Sequence, residues 1–261
     1  MISRVTFPNL KLQLDVNSVA FRIGGLPIYF YAIFVVLGIL VVFFFLYKDE
    51  KRYGLIYQDL FSLAVLLIPV SIIGARLYYV AFRWDVYKDN LGLIWNIRDG
   101  GLALYGGLIL GTLYTMYFAE KHKMRFWDTL DWIVLYLPLA QAIGRLGNFF
   151  NVEAYGIETN FFLKMGIEKN GVISFVHPTF LYEIIALIII FVVLNRLKDK
   201  RRYSGQMTYI YICMYSFFRF FIEYLRADSL MFYGFKATMI VSLIAFVWTG
   251  ILLLMHKKSK Q

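Results

Sequence analysis

The stretch IYFYAIFVVLGILVVFFFLY, residues 28–47, decides the fold class of this chain because it contains no charged side chain. A helix needs about 20 apolar residues to cross the ~30 Å hydrocarbon core of a bilayer. Six further apolar blocks lie at residues 58–82, 101–119, 129–150, 179–195, 206–225 and 236–255. Hydrophobic residues make up 60% of the chain, against roughly 45–50% in soluble domains. The sequence therefore predicts an all-α polytopic membrane protein, with seven transmembrane helices in a single membrane domain over residues 1–261.

Positive charge is distributed unevenly among the connections between these blocks. The short connections after the first, third and fifth blocks and the C-terminal tail are dense in lysine and arginine, whereas the longer connections are sparse. Such an excess is typical of cytoplasmic loops. The N-terminus is therefore predicted outside and the C-terminus in the cytoplasm, with residues 152–178 forming a small extracytoplasmic loop between spans four and five. The net charge of +10 then reflects topology and contact with anionic lipid rather than nucleic-acid binding.

Three arginines, Arg76, Arg145 and Arg219, and two glutamates, Glu183 and Glu223, lie inside the apolar blocks. All five fall near the outer ends of their predicted helices. Charged side chains are costly in hydrocarbon and usually mark function. Either they pair with one another and fasten the bundle, as residues four apart on one helix face do, or the surplus arginine binds an anion. A lipid phosphate fits this location, and the guanidinium group suits phosphate geometry.

Four segments around these charges carry the most distinctive pattern in the chain. They are DGGLALYGG at 99–107, GRLGNFFNVEAYG at 144–156, HPTFLYE at 177–183 and RFFIEYLRAD at 219–228. The second resembles the signature G-R-x-x-N-F-x-N-x-E-x-x-G of the prolipoprotein diacylglyceryl transferases, and every specified position matches. The other three are similar to further segments of that family and follow its order along essentially the whole chain.

The resemblance implies a reaction at the bacterial cytoplasmic membrane. The family transfers the diacylglyceryl group of phosphatidylglycerol to the thiol of the lipobox cysteine in the signal peptide of a preprolipoprotein, and no metal or organic cofactor is implied. Arg145 and Arg219 are the candidates for stabilising charge on the leaving phosphate. Tyr105 and Glu223 complete the candidate catalytic residues. The candidate substrate-binding residues are Asn148, Tyr31, Glu153, Asn151, Arg76, Gly106, Gly156, Tyr215, His177, Glu183 and Arg226.

Several of these residues keep a second interpretation. Asn148 could instead form a hydrogen bond between helices, and His177 could cap the fifth span. Glu153 has three interpretations: it orients an arginine, it contacts the signal peptide, or it is simply solvated. Where the family commonly has histidine, a natural base for the thiol, this chain has Tyr105, which is a poor base at neutral pH. Either Tyr105 only donates a hydrogen bond and deprotonation is assisted elsewhere, with His177 as the remaining imidazole, or the chain is a weakened paralogue.

The extracytoplasmic loop is shorter than in relatives of the family, which predicts a reduced head region. Within it, FFLKMGIEKNGVISF at 161–175 predicts a hairpin around Asn170 and Gly171, because Asn-Gly favours a tight turn. The alternative function is a lipid or anionic-solute transporter, which would also use intramembrane arginines. Transporters often place their helix breaks at the bilayer midplane, whereas the charges here lie in the outer third, so the transferase is the favoured interpretation.

Overall fold

The computed structural model describes residues 2–97, 100–169, 171–229, 231–232 and 234–258. Helices dominate this part of the chain because long apolar runs satisfy their backbone polar groups internally. The α-helices of the described residues are α1 Phe30–Lys48, α2 Tyr57–Phe82, α3 Trp84–Tyr87, α4 Leu104–Lys121, α5 Phe126–Val134, α6 Leu137–Asn151, α7 Thr179–Leu197, α8 Gln206–Leu225 and α9 Ala237–Lys258. The strands are β1 Ile2–Phe7, β2 Leu12–Asn17, β3 Val19–Ile23, β4 Leu26–Tyr29, β5 Lys51–Arg52, β6 Leu55–Ile56, β7 Met165–Lys169, β8 Val172–Val176, β9 Met231–Phe232 and β10 Phe235–Lys236.

Each of the seven predicted blocks contains a helix, but not every helix has the character of a membrane span. Within the described residues, four helical segments are long and apolar enough to cross a membrane: Phe30–Lys48, Tyr57–Phe82, Thr179–Lys200 and Ala237–His256. A fifth is present if α5 and α6 count as one interrupted span. In α4 and α8, glycine, tyrosine and charged residues reduce the hydropathy. The fold is thus mostly helical with four or five candidate spans.

The fourth predicted block is not one continuous helix. It is interrupted between α5 and α6, at residues 135–136, and Pro138 occupies the first turn of α6. Proline has no backbone N–H and therefore cannot donate to the carbonyl four residues earlier. The interruption lets α6 begin anew and carry the motif GRLGNFFN to its C-terminal end.

The chain divides into two compact units, one formed by Tyr47–Trp132 and a larger one formed by Met1–Leu46 and Ile133–Gln261. In the former, hereafter the α2–α4 unit, two glycines bring the helices α2 and α4 together. A Cβ added to Gly106 would lie 2.3 Å from the carbonyl oxygen of Gly74, and one added to Gly74 would lie 2.6 Å from that of Gly106. Small residues are what permit such close helix packing in membrane proteins.

The larger unit contains a four-stranded antiparallel sheet with the strand order β2-β1-β7-β8. Its core is a cluster of buried residues that includes Val5, Val16, Ile167 and Val176 together with Phe180 of α7. The prediction of an all-α chain is wrong here. Strand β1 pairs with β7, about 160 residues away along the chain, and a pairing of such sequence separation leaves no local signal.

The predicted hairpin in the loop 152–178 is confirmed. Strands β7 and β8 pair antiparallel from Met165 opposite Val176 to Lys169 opposite Val172, and Gly171 has a φ of 79°. That left-handed conformation favours glycine. The other residue of the expected turn, Asn170, lies outside the described residues, as does Asp99 of the motif DGGLALYGG. Residues of the C-terminal half of α6, Phe149 and Phe150 among them, pack against the sheet core.

Candidate active site

Three helix ends of the larger unit bring charged side chains together. Arg145 lies in the C-terminal half of α6, Glu183 in the second turn of α7, and Arg219 and Glu223 in the last turns of α8, which Arg226 terminates. We call these five residues the arginine–glutamate cluster. Arg145 belongs to the motif GRLGNFFNVEAYG, and Glu183 ends the motif HPTFLYE. The other three residues belong to RFFIEYLRAD.

Glu183 is the centre of the cluster. It is buried, with 4% of its surface exposed. One carboxylate oxygen, Oε2, forms an ion pair with Nε of Arg145. The other, Oε1, accepts hydrogen bonds from Nη1 of Arg219 at 2.6 Å and from Nη1 of Arg226 at 3.3 Å. A single carboxylate thus orients three guanidinium groups from two helices.

Arg219 is held from both sides. Its second terminal nitrogen, Nη2, lies 2.5 Å from Oε2 of Glu223, one turn further along α8. This oxygen has no well-aligned hydrogen bond in the described residues, so the contact is mainly ionic. Of the two interpretations left open for the charges in the apolar blocks, the one in which they pair with one another is observed for Arg219 and Glu223. Because both carboxylates are buried, removing either one would leave an uncompensated charge, which is strongly destabilising.

A second set of contacts links Arg145 to the end of the signature motif. Nη1 of Arg145 donates to Oδ1 of Asn148 at 3.2 Å, and Nδ2 of Asn148 donates to Oε1 of Glu153 at 2.8 Å. Nδ2 of Asn151 donates to the same glutamate oxygen at 3.1 Å. Of the interpretations left open for Glu153, the geometry favours the one in which it orients an arginine, acting through Asn148.

The turn after α6 explains the spacing of this motif. Val152 and Ala154 both have positive φ, 50° and 53°. Such a conformation is uncommon for residues other than glycine and rare for a β-branched one. It folds the chain back, so that the amide of Glu153 donates to the carbonyl of Asn148 at 3.1 Å. The side chain of Glu153 therefore returns to the last turn of α6 instead of pointing away from it.

Gly156 allows the chain to pass between α7 and α8. Its amide donates to the carbonyl of His177 at 2.8 Å, and it forms an antiparallel bridge with Arg226. An added Cβ would lie 2.6 Å from the carbonyl oxygen of Leu225 and 2.7 Å from Cβ of His177. No larger residue fits without displacing backbone, so Gly156 fixes the distance between the ends of these two helices.

His177 and Arg226 flank this crossing. Nδ1 of His177 lies 3.1 Å from the hydroxyl of Tyr182, and burial lowers the pKa of the imidazole from its ordinary value of 6.5. Arg226 donates to both carboxylate oxygens of Asp228, at 2.9 and 2.7 Å, in addition to Glu183. The hydrogen bonds from Arg226 hold the pKa of Asp228 below its ordinary value. Asp228 therefore adjoins the cluster through Arg226. It ends the motif RFFIEYLRAD, but it was not among the site residues predicted from the sequence.

Two predicted tyrosines adjoin the cluster's helices. Tyr31, in the first turn of α1, packs against Gly147, whose added Cβ would lie 2.7 Å from the tyrosine ring. Tyr215 lines a narrow, mostly apolar crevice between α7 and α8, together with Glu183, Phe218 and Arg219, with room for no more than about one water molecule.

Arg76, Tyr105 and Gly106 belong to the α2–α4 unit. Arg76 is 6% exposed and donates to five backbone carbonyls, those of Leu93, Ile94, Asn96, Gly100 and Gly101, at 2.6–3.0 Å. An arginine has five N–H groups, so these contacts use all of them. This geometry favours a role in holding the backbone at residues 93–96 and 100–101 over direct contact with a phosphate. Tyr105 is half exposed in the first turn of α4.

The charges of the cluster are closer to balance than the sequence suggests. Arg226 joins the two intramembrane arginines of the larger unit, but Glu183, Glu223 and Asp228 oppose them. The arginines differ in access instead, since the side chain of Arg145 is 28% exposed against 14% for Arg219 and Arg226. Arg145 is therefore the guanidinium best able to contact a ligand. Among the described residues, no group of His, Cys, Asp and Glu is arranged to hold a metal ion.

These features define a multi-pass membrane protein in which three helix ends gather partly buried arginines around a shared, buried glutamate. The chain belongs to the prolipoprotein diacylglyceryl transferase family, whose model matches residues 18–255. It is 43% identical over 231 residues to the phosphatidylglycerol–prolipoprotein diacylglyceryl transferase of Clostridioides difficile, covering 88% of this chain and 92% of that relative. The proteins of the same name from Finegoldia magna and Enterococcus faecalis are 39% and 41% identical, over 93% and 94% of this chain and 96% and 92% of their own lengths.

Proposed function

We propose that this protein transfers the diacylglyceryl group of phosphatidylglycerol to the cysteine thiol of a prolipoprotein. Membership of the family supports this reaction. The observation that assigns it to residues is the set of contacts made by Arg145, which pairs with Glu183 of α7 and is linked to Glu153 through Asn148. The thiol sulfur attacks the carbon of the diacylglycerol unit that bears the phosphate ester. A carbon–sulfur bond forms, the carbon–oxygen bond breaks, glycerol phosphate leaves, and the thiol proton passes to a base.

Arg145 is the proposed contact to the phosphate. It is the most exposed arginine of the cluster, and its orientation is fixed by Glu183 and Asn148. Donors that are already oriented stabilise developing charge without reorganisation. As the carbon–oxygen bond breaks, negative charge grows on the leaving phosphate, and the guanidinium group can hold two of its oxygens at once.

Arg219 is the second proposed source of stabilising charge, with Glu183 and Glu223 holding it in place. The remaining predicted residues, Asn151, Tyr31, Tyr215, Gly156 and Arg226, are proposed to shape the site rather than to react. Their contacts with α6, α7 and α8 support that assignment. Arg76 and Gly106 are proposed to shape the α2–α4 unit in the same way, because the donors of Arg76 are occupied by carbonyls.

The thiol base is proposed to be His177, with Tyr105 donating a hydrogen bond to the phosphate or the leaving oxygen. The lowered pKa keeps the imidazole neutral at pH 7, as a base must be. When Nδ1–H donates to the Tyr182 hydroxyl, Nε2 is free to accept the proton. The role of Tyr105 is supported by the resemblance of DGGLALYGG to the family segment.

We further propose the full topology of seven transmembrane helices in a single membrane domain, with the N-terminus outside and the C-terminus in the cytoplasm. The dense cations after the first, third and fifth blocks and in the tail support this orientation. The chain is a multi-pass protein of the bacterial cytoplasmic membrane, and the loop 152–178 with strands β7 and β8 then lies outside. The lipobox segment of the signal peptide is proposed as the part of the prolipoprotein that is recognised.

The test is incubation of the purified protein with phosphatidylglycerol vesicles and a synthetic lipobox peptide, followed by mass spectrometry. The peptide is expected to gain the mass of one diacylglyceryl group, and a peptide with serine in place of cysteine is expected to gain none. Arg4→Ala serves as a matched control for arginine loss, because Arg4 and its partner Asp15 are largely exposed. A transporter would leave the mass of the peptide unchanged, and that result would refute the proposal.

A further inference from the structure

The connection between α8 and α9 brings one lysine back to the end of α8. Strands β9 and β10 pair antiparallel, with Lys236 opposite Met231, so the chain reverses just before α9 begins. Nζ of Lys236 donates to the carbonyl oxygens of Glu223 at 2.9 Å, Tyr224 at 3.0 Å and Arg226 at 2.6 Å. An ammonium group has three N–H donors, so all of them point into this one helix end.

The end of α8 has a particular need for such a partner. The last four carbonyls of a helix lack intrahelical donors and carry partial negative charge. Many helices satisfy them with a glycine that turns the chain into the left-handed region. Here Arg226 and Ala227 follow the helix, and Arg226 has extended backbone angles of −73° and 139°. The local chain supplies one donor, the amide of Arg226 to the carbonyl of Glu223 at 3.1 Å, and Lys236 adds three more from a distant point of the chain.

The residues at this helix end are those of the cluster. The carbonyls that Lys236 contacts belong to Glu223, which pairs with Arg219, and to Arg226, which reaches Glu183. The Arg226–Glu183 contact, at 3.3 Å, is longer than the 2.6 Å contact of Arg219 with the same oxygen. Arg226 is also the cation nearest in sequence to the carbonyls that Lys236 occupies. Lys236 thus binds the main chain of Arg226 while the guanidinium group of Arg226 holds Glu183 and Asp228.

We propose that Lys236 is a positioning residue for the transfer reaction. By binding the carbonyls at the end of α8, it keeps Arg226 available for Glu183 and thereby fixes the carboxylate that orients Arg145. This rests on the proposed function, because it assigns Lys236 to the lipid-phosphate side of that site. Its loss should impair use of phosphatidylglycerol and leave recognition of the peptide unchanged.

The first experiment compares Lys236→Met with the wild type and with Lys88→Met, in which an exposed lysine is lost. Methionine keeps the length and apolar stem of lysine but has no donors. We expect kcat/KM for phosphatidylglycerol to fall about 10- to 100-fold, by analogy with the loss of groups that orient the ligands of a metal site, while KM for the peptide stays within about twofold of the wild type. Lys88→Met should match the wild type. An unchanged kcat/KM, or an equal rise of both KM values, would overturn the proposal.

The second experiment restores the ammonium group chemically and covers the case in which Lys236→Met folds poorly. The chain has one cysteine, Cys213, so Lys236→Cys can be made in a Cys213→Ala background and alkylated with 2-bromoethylamine, which rebuilds a lysine-like side chain. Alkylation of the folded protein should restore most of the activity of the Cys213→Ala parent. Failure to restore it in a protein with the parent's thermal stability would refute the positioning role. A wild type that does not lipidate the peptide would instead refute the proposed function.

Discussion

Replacing Arg145 by lysine separates the geometry of this guanidinium group from its charge. In the structure, Nε binds Glu183 and Nη1 binds Asn148, which leaves other N–H groups of this 28% exposed side chain for a phosphate. A lysine ammonium is a compact point charge and cannot serve three partners in one plane. Loss of a donor to developing negative charge costs about 2.7–4 kcal/mol, or roughly 100- to 1,000-fold in rate. We expect Arg145→Lys to lose most of this factor and Arg145→Ala to lose all of it.

The protein should remain folded in both variants. Glu183 keeps its contacts with Arg219 and Arg226 when Arg145 is removed. The loss should therefore stay below the ~3–5 kcal/mol that follows when a buried charge is left with no partner. The folded fraction is measured by size-exclusion chromatography and thermal unfolding in detergent.

The assay follows peptide mass over time at saturating phosphatidylglycerol, with Arg4→Ala as the control. Near-normal turnover of Arg145→Lys would refute the role assigned to the planar guanidinium group. Loss of folded Arg145→Ala protein would show that this arginine mainly fastens α6 to α7.

The remaining predictions concern lipid choice and proton transfer. Phosphatidylethanolamine should be a poor donor, because its ammonium group would face Arg145 and Arg219; equal rates at matched surface concentration would exclude electrostatic selection. Tyr105→Phe should lower the rate of transfer substantially whereas Tyr105→His should retain activity, and a wild-type rate in the former would show that the hydroxyl has no catalytic role. If His177 is the base, the rate should fall as the pH drops through a pKa below 6.5, since burial favours the neutral imidazole. His177→Asn should abolish this acidic limb of the pH–rate profile. An identical profile in the variant would exclude His177 as the base.

The helices within the seven apolar blocks were predictable from the sequence to within a few residues, because a long apolar run has few other conformations available. The break at residues 135–136 and the short helix α3 were not predicted. The pairing of Arg219 with Glu223 was predictable too, since residues four apart share a helix face. The hairpin around Gly171 followed from its turn residues. In each of these cases the information is local, and the structure confirms it.

Contacts between distant segments were not predictable in this way. Strand β1 pairs with β7 across most of the chain, and nothing in ISRVTF identifies its partner. The sequence predicts that Glu183 lies near the arginines, but it does not reveal that this carboxylate binds three of them. The sequence predicts that Arg76 pairs with a carboxylate or binds an anion, whereas its donors bind backbone carbonyls, and the donors of Lys236 do the same. The positions of carbonyls depend on the fold, so a sequence does not reveal that a cation is already satisfied by them.

The arginines of the chain therefore differ in their capacity to bind a ligand. A buried cation surrounded by carbonyls, such as Arg76, has no donor left for a ligand, however suitable its location. Arg145 differs because its partners are side chains and one part of its guanidinium group is exposed. Since Glu183 already balances its charge, a lipid phosphate must share Arg145 with a carboxylate rather than meet a free cation. The phosphodiester of the lipid carries less negative charge than the departing glycerol phosphate, so its attraction to Arg145 grows as the carbon–oxygen bond breaks. An interaction that is stronger in the transition state than in the ground state accelerates a chemical step.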